Sequence, residues 1–313
     1  MSIFEKFSGF NLRRVVILFG ITILISFSFS IVTIAQDDEF DQNELSQTSP
    51  SQEDPVMLFN KGQEAHSKGN LEEALKLYDL ALKAKADFPE AEYQRGIVLM
   101  TLDDPQRSET AFRNAAGLKP DWPLPRFQLG LLYLRSARYS EAEDLLEEAI
   151  QLDTTNYPAY SALSEVLIKS GAPASKLENL LVRLQTGVDL ANAPVGIWIS
   201  KASIERRLGN YESARLSALK ALEISKNDPA ALSELIEAYL AKAENKKALE
   251  AAHDLMLIDP RSRPGKMLLA RAYYLNDNAN EAINVLRSIE KPDKDVSALL
   301  EIIRSNGNVS VES

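Results

Sequence analysis

Cysteines, clustered histidines, paired carboxylates and grouped arginines supply most protein chemistry, and here few of them are placed to react. The chain has no cysteine and two histidines, which removes thiol nucleophiles and disulfides and leaves almost nothing from which to build a zinc site. His66 and His253 are isolated, without the oriented partner that a general base requires. The carboxylates between Glu143 and Glu148 follow one another as an exposed helix face. No glycine-rich phosphate loop and no activated nucleophile is present, so the sequence predicts no enzyme, no cofactor and no metal. Arg206, Arg207 and Arg271 could form a local cationic patch. A net charge of −10 nevertheless repels phosphate backbones, which argues against nucleic-acid binding but not against one acidic side chain of a protein.

Residues that do not react can still bind, and the elements that would position them repeat. From Pro123 to Asn156 the chain reads as two short amphipathic helices joined by a turn at Ser136 to Tyr139. Leu129, Gly130 and Tyr133 share one face of the first helix, and Ala142, Leu146 and Ala149 share one face of the second. A hairpin this small cannot bury its apolar face alone. Stepping back by thirty-four residues from Gly130 gives Gly96 and then Gly62, while Ala149 gives Ala115 and then Ala81.

The pattern Leu-Gly-x-x-Tyr, followed by Ser108-x-x-x-Phe112 or Ala74-x-x-x-Tyr78 and then Pro120, resembles the tetratricopeptide repeat family. Units start near residues 55, 89, 123, 157, 195, 229 and 263, and 295–305 reads as a capping helix of the kind that terminal repeats require. The fourth unit runs to thirty-eight residues, and Lys176 falls where an alanine is expected. A kink is expected there, with the extra residues lengthening the second helix or the connection from Ala191 to Pro194. Trp198 in the fifth unit takes the family's bulky packing place.

The resemblance implies an all-α fold: a right-handed α-solenoid of about seven hairpins, occupying 55–305, whose first helices line a concave groove. It also implies that the groove binds a peptide or helix of a partner protein. By period, the groove receives Phe59, Gln63 and His66 from the first unit, Tyr93, Ile97 and Met100 from the second, and Phe127, Leu131, Leu134 and Arg135 from the third. Beyond them come Glu165 and Lys169, then Ser203, Arg206 and Arg207, then Glu237 and Leu240, then Arg271 and Tyr274. The first half is thus apolar and aromatic, and the second polar and charged. Members of the family that bind chaperones clamp a carboxylate with lysines and asparagines; the corresponding places in the first unit hold Phe59 and Gln63, so that use is not supported.

The first thirty-five residues differ in kind. Lys6, Arg13 and Arg14 precede an uncharged run from Val15 to Ala35, long enough at about 1.5 Å per residue to cross a bilayer. Ser26, Ser28, Ser30 and Thr33 lend its end the character of a secretory signal, with small residues before a cleavage point after Ala35. A cleaved signal peptide and a retained signal anchor both fit, and both place the repeats across the membrane, because the positive flank stays in the cytoplasm. Residues 36–54 carry seven acids and no base and read as a disordered tether; 306–313 read as a disordered tail. Function therefore reads as a scaffold or adaptor outside the cytoplasm that assembles or tethers an envelope complex. A narrower version is an accessory of protein export or pilus assembly, and an enzyme with an unrecognised site is the third reading. Partner identity and oligomeric state are not legible.

Overall fold

A computed structural model of the chain describes residues 54–186 and 192–306, and these form fifteen α-helices and no strand. The stretch read as a signal or anchor, the stretch read as a tether except for Asp54, and the final seven residues lie outside the described residues. Seven antiparallel pairs follow in order: α1 (Pro55–Ser67) with α2 (Leu71–Ala84), α3 (Pro89–Thr101) with α4 (Pro105–Leu118), and α5 (Pro123–Arg135) with α6 (Tyr139–Leu152). Then come α7 (Tyr157–Lys169) with α8 (Ala174–Thr186), α9 (Val195–Arg207) with α10 (Tyr211–Ile224), α11 (Pro229–Ala241) with α12 (Asn245–Ile258), and α13 (Arg263–Tyr274) with α14 (Ala279–Arg287). A last helix, α15 (Lys294–Asn306), packs on α14. The architecture is an all-α solenoid.

Each hairpin turns in the same way because each first helix ends in the same motif. The residue after the helix's C-cap is left-handed in the first six units, at Gly69, Asp103, Ala137, Gly171, Gly209 and Ala243, and the second residue after it, Asp277, is left-handed in the seventh. The next N–H then reaches back five residues, as from Asn70 to the Ala65 carbonyl at 2.9 Å and from Arg138 to the Tyr133 carbonyl at 2.8 Å. This closes the last turn and satisfies carbonyls that a helix end leaves orphaned. Proline opens α1, α3, α4, α5, α11 and, at its second position, α7 and α13, where its missing N–H costs nothing.

Small residues let the two helices of a hairpin approach. A Cβ added at Gly62 would lie 2.6 Å from the Tyr78 ring, at Gly96 2.6 Å from the Phe112 ring, and at Gly130 2.7 Å from Leu146 Cγ. Ala74, Ala81, Ala142, Ala149, Ala214 and Ala221 on the second helices are fully buried. First helices also touch each other directly, α1 on α3, α5 on α7, α9 on α11 and α11 on α13, and no two second helices approach as closely. The array therefore curves with its first helices on the inner wall.

The fourth hairpin departs from this plan. Its turn carries one extra residue, Pro173, so α8 begins a residue late and its inward face shifts by one. Leu177 and Leu184 then stand where Ala142 and Ala149 stand in the unit before, and Lys176 points outward to pair with Glu143. Leucines at both close-approach places hold α8 away from α7, and α9 packs directly on α7. One extra residue is Pro173 in the turn; α8 is described over Ala174–Thr186, and residues 187–191 lie outside the described residues. With Leu180, these leucines are nearly fully buried, each contributing about 1.5 to 3 kcal/mol relative to exposure. They belong to a core that runs from Phe112 to Ile204. Separate clusters serve the later hairpins.

Candidate functional site

On the inner wall, the first helices of the front half carry half-buried apolar side chains. Phe59 packs between the rings of Tyr78 and Phe88, at 5.8 and 5.0 Å between centroids, so one side of it is committed to the hairpin. Tyr93 lies 4.8 Å from the Trp122 ring and 5.8 Å from that of Phe112, and its hydroxyl accepts from Gln128. Burial raises the Tyr93 pKa, so its hydroxyl stays protonated. Ile97, Met100, Phe127 and Leu131 rest against the central core while keeping part of their surface free. Leu134, at 8% exposure, is interior and offers a ligand almost nothing. Gln63 is exposed beside the apolar set, and His66 is half-buried, which lowers its pKa.

The back half presents charge, but most of that charge is already matched. The Arg206 guanidinium donates to Glu234 at 2.8 Å, and Ser203 donates to the same carboxylate. Arg271 donates to Glu237 at 2.6 Å. Both acids sit on α11, which is thereby clipped to α9 on one side and to α13 on the other. Lys169 pairs with Glu165 at 2.6 Å in an exposed contact, whereas Arg135 and Arg207 are exposed and form no ion pair among the described residues. Leu240 is buried at 8% and Tyr274 is half-buried against the last core cluster. Neither belongs to a polar binding face.

Sequence periodicity missed three things. Glu234 is the acid that neutralises Arg206, and only the fold shows that α11 brings it within reach. The acids of α6 are not merely a solvated face: Glu143 pairs with Lys176 and Glu147 with Arg183, which tie α6 to α8. Glu205 is 2% exposed and accepts from Ser217 at 2.6 Å, with Lys201 donating to both. Its signal was available, since Glu205 occupies the place held by Tyr133, Tyr239 and Tyr273 in other units. His253 is exposed on α12 and lies 3.2 Å from the Tyr273 hydroxyl, away from the groove. Among the described residues, no cluster of acids and histidines is arranged to hold a metal, and no helix is long and apolar enough to cross a membrane.

Family models described as tetratricopeptide repeat match residues 56–88, 93–161 and 195–228. The chain carries tetratricopeptide repeats. The matched stretches include the first hairpin, most of the second, the third and the fifth; α8 and the sixth and seventh hairpins lie outside them. Protein STIP1 homolog of Dictyostelium discoideum is 29% identical over 124 residues, an alignment covering 39% of this chain and 22% of that protein. The chain thus spans less than a quarter of the length of the curated relatives it matches. A tetratricopeptide repeat protein from Parabacteroides merdae is similar in structure, with a TM-score of 0.65 at 12% identity, over 80% of this chain and 98% of that one. PilW, described as a widely conserved type IV pilus biogenesis factor, is similar at a TM-score of 0.58 and 17% identity, over 69% of this chain and 98% of that one. At such identities these structures speak for the fold alone.

Proposed function

We propose that the repeat array is a non-catalytic scaffold that holds a peptide or helix of a partner protein in its concave groove, outside the cytoplasm, and so assembles or tethers an envelope complex. The observation that carries this reading is the partly exposed apolar strip of Tyr93, Ile97, Met100, Phe127 and Leu131 on the inner wall. Apolar surface of this kind gains most when a partner covers it, and polar groups beside it set orientation. The location rests on the sequence alone, on the cationic flank at Arg13 and Arg14 before the uncharged run to Ala35.

Capture from a membrane extract tests the binding role. The wild-type array should retain a partner that a Tyr93→Ala, Phe127→Ala double variant loses, and equal retention would count against the groove. Mass spectrometry of the mature chain tests the location. A terminus at Gln36 supports release after cleavage, an intact terminus in the membrane fraction supports an anchor, and a cytoplasmic array would contradict both.

A further inference from the structure

Three first helices in the middle of the array end on a cation: α5 on Arg135, α7 on Lys169 and α9 on Arg207. All three side chains are exposed, and α7 touches both α5 and α9, so they stand in a row along the rim of the groove. The same place holds Ser67, Thr101, Ala241 and Leu275 in the other units, which confines the row to the stretch immediately beyond the apolar strip. Arg206 and Arg271 are held by half-buried glutamates, but this row is available. Among the described residues Arg135 and Arg207 have no acidic partner, and the Lys169–Glu165 pair is an exposed contact between residues one turn apart, worth a few tenths of a kcal/mol at most and easily exchanged. In a chain of net charge −10, a run of cations at one place in three successive units is not the overflow of general basicity.

We infer that the partner segment is acidic next to its apolar anchor, with carboxylates spaced to meet Arg135, Lys169 and Arg207 in turn. This rests on the groove reading above. Packed helix axes lie about 8 to 10 Å apart. An extended polyproline-like chain covers that distance in about three residues and turns the same face outward each time. The partner's acids therefore recur at every third position. A cation in the last turn of a helix also complements the helix dipole, a contribution to stability that a binding measurement separates from recognition.

The test uses the full chain in detergent and labelled peptides with an apolar block of leucine and phenylalanine joined, in either order, to a block carrying Glu at every third position. A matched peptide has Gln in place of each Glu. At low salt the Glu peptide should bind at least tenfold more tightly than the Gln peptide, and the advantage should shrink toward 1 M salt, where charges are screened within about 3 Å. The Arg135→Glu, Lys169→Glu, Arg207→Glu triple variant should lose that advantage while keeping the Gln-peptide affinity; if it melts early, the corresponding triple Gln variant takes its place. Equal affinity for the two peptides, or an advantage that survives in the triple variant, overturns the inference. If both peptides bind alike and Phe127→Ala weakens both, the groove reading stands and this inference falls. If neither peptide binds in either order, the two fall together.

Discussion

The first three hairpins divide bulk between their two helices in one fixed way, whereas each of the last three divides it differently. In front, the first helix is bare and the second is large: Gly62 faces Tyr78, Gly96 faces Phe112 and Gly130 faces Leu146. Behind, Ala202 shares a cluster with Ala218, Ile236 with Ala252 and Ala270 with Leu286. The inner walls differ as well. The front displays partly covered aromatic and aliphatic side chains, while the back, apart from the exposed Arg207, displays arginines already satisfied by the glutamates of α11. Surface that stays apolar and unpaired can gain from a partner, whereas surface whose charges are matched within the array gains little. Under the proposed function, apolar anchoring falls to the front half, while Arg206 and Arg271 of the back half serve rigidity.

The sharpest way to break the back half is through its buried charges. Lys201→Met would leave Glu205, 2% exposed, without its cation, and truncating one partner of a buried pair costs about 3 to 5 kcal/mol. Urea unfolding should show that loss, and replacing Lys201, Glu205 and Ser217 together by Met, Leu and Ala should recover most of it. A single variant that unfolds like wild type would mean that the network does not hold α9 to α10.

The front half should break by overpacking. Gly130→Ala places a methyl 2.7 Å from Leu146 Cγ, and forcing bulk into a filled contact costs about 1 to 3 kcal/mol. Adding Leu146→Ala would recreate the Ala–Ala contact of the fifth hairpin and should restore part of the stability. A melting temperature unchanged by the single substitution would contradict the assigned close approach.

The turns should respond alike in both halves, and least. Gly209 has φ near +80° with nothing within 4 Å of an added Cβ, so Gly209→Ala costs about 1 kcal/mol through backbone strain alone. Ala137, left-handed at φ 56°, should gain about 0.5 kcal/mol on replacement by glycine. Chemical denaturation of the two variants checks both signs.

Much of this was legible in the sequence. Gly and Ala recurring every thirty-four residues mark a repeated hairpin too small to bury its own apolar face, and the family resemblance carried by those residues implied the fold class. Period places a residue on a face but does not say how far its neighbours cover it. Leu134 and Leu240 lie on inner-wall helices by count and are closed over by packing, and Arg206 meets Glu234 only because α11 settles beside α9. In the fourth unit Lys176 stands at the expected alanine place because of a single added residue, Pro173, which rotates the inward face of α8 so that leucines replace alanines. A shift of one position is invisible to a search for a fixed period. Glu205 was legible in principle, as an acid in a place otherwise held by tyrosine, leucine or alanine.

Titration of the Phe127→Ala and Arg206→Ala forms with the labelled Glu-block peptide or a captured partner segment, after circular dichroism shows both to be folded, most directly tests the division between halves. Phe127→Ala should weaken binding by about 1 to 3 kcal/mol, as anchors in an interface do. Arg206→Ala should change it by less than about 0.5 kcal/mol, since its guanidinium is already engaged by Glu234. The opposite ranking, or wild-type binding by Phe127→Ala alongside loss of binding in an outer-wall variant such as Glu147→Lys, would place the site away from the front groove and contradict the assignment.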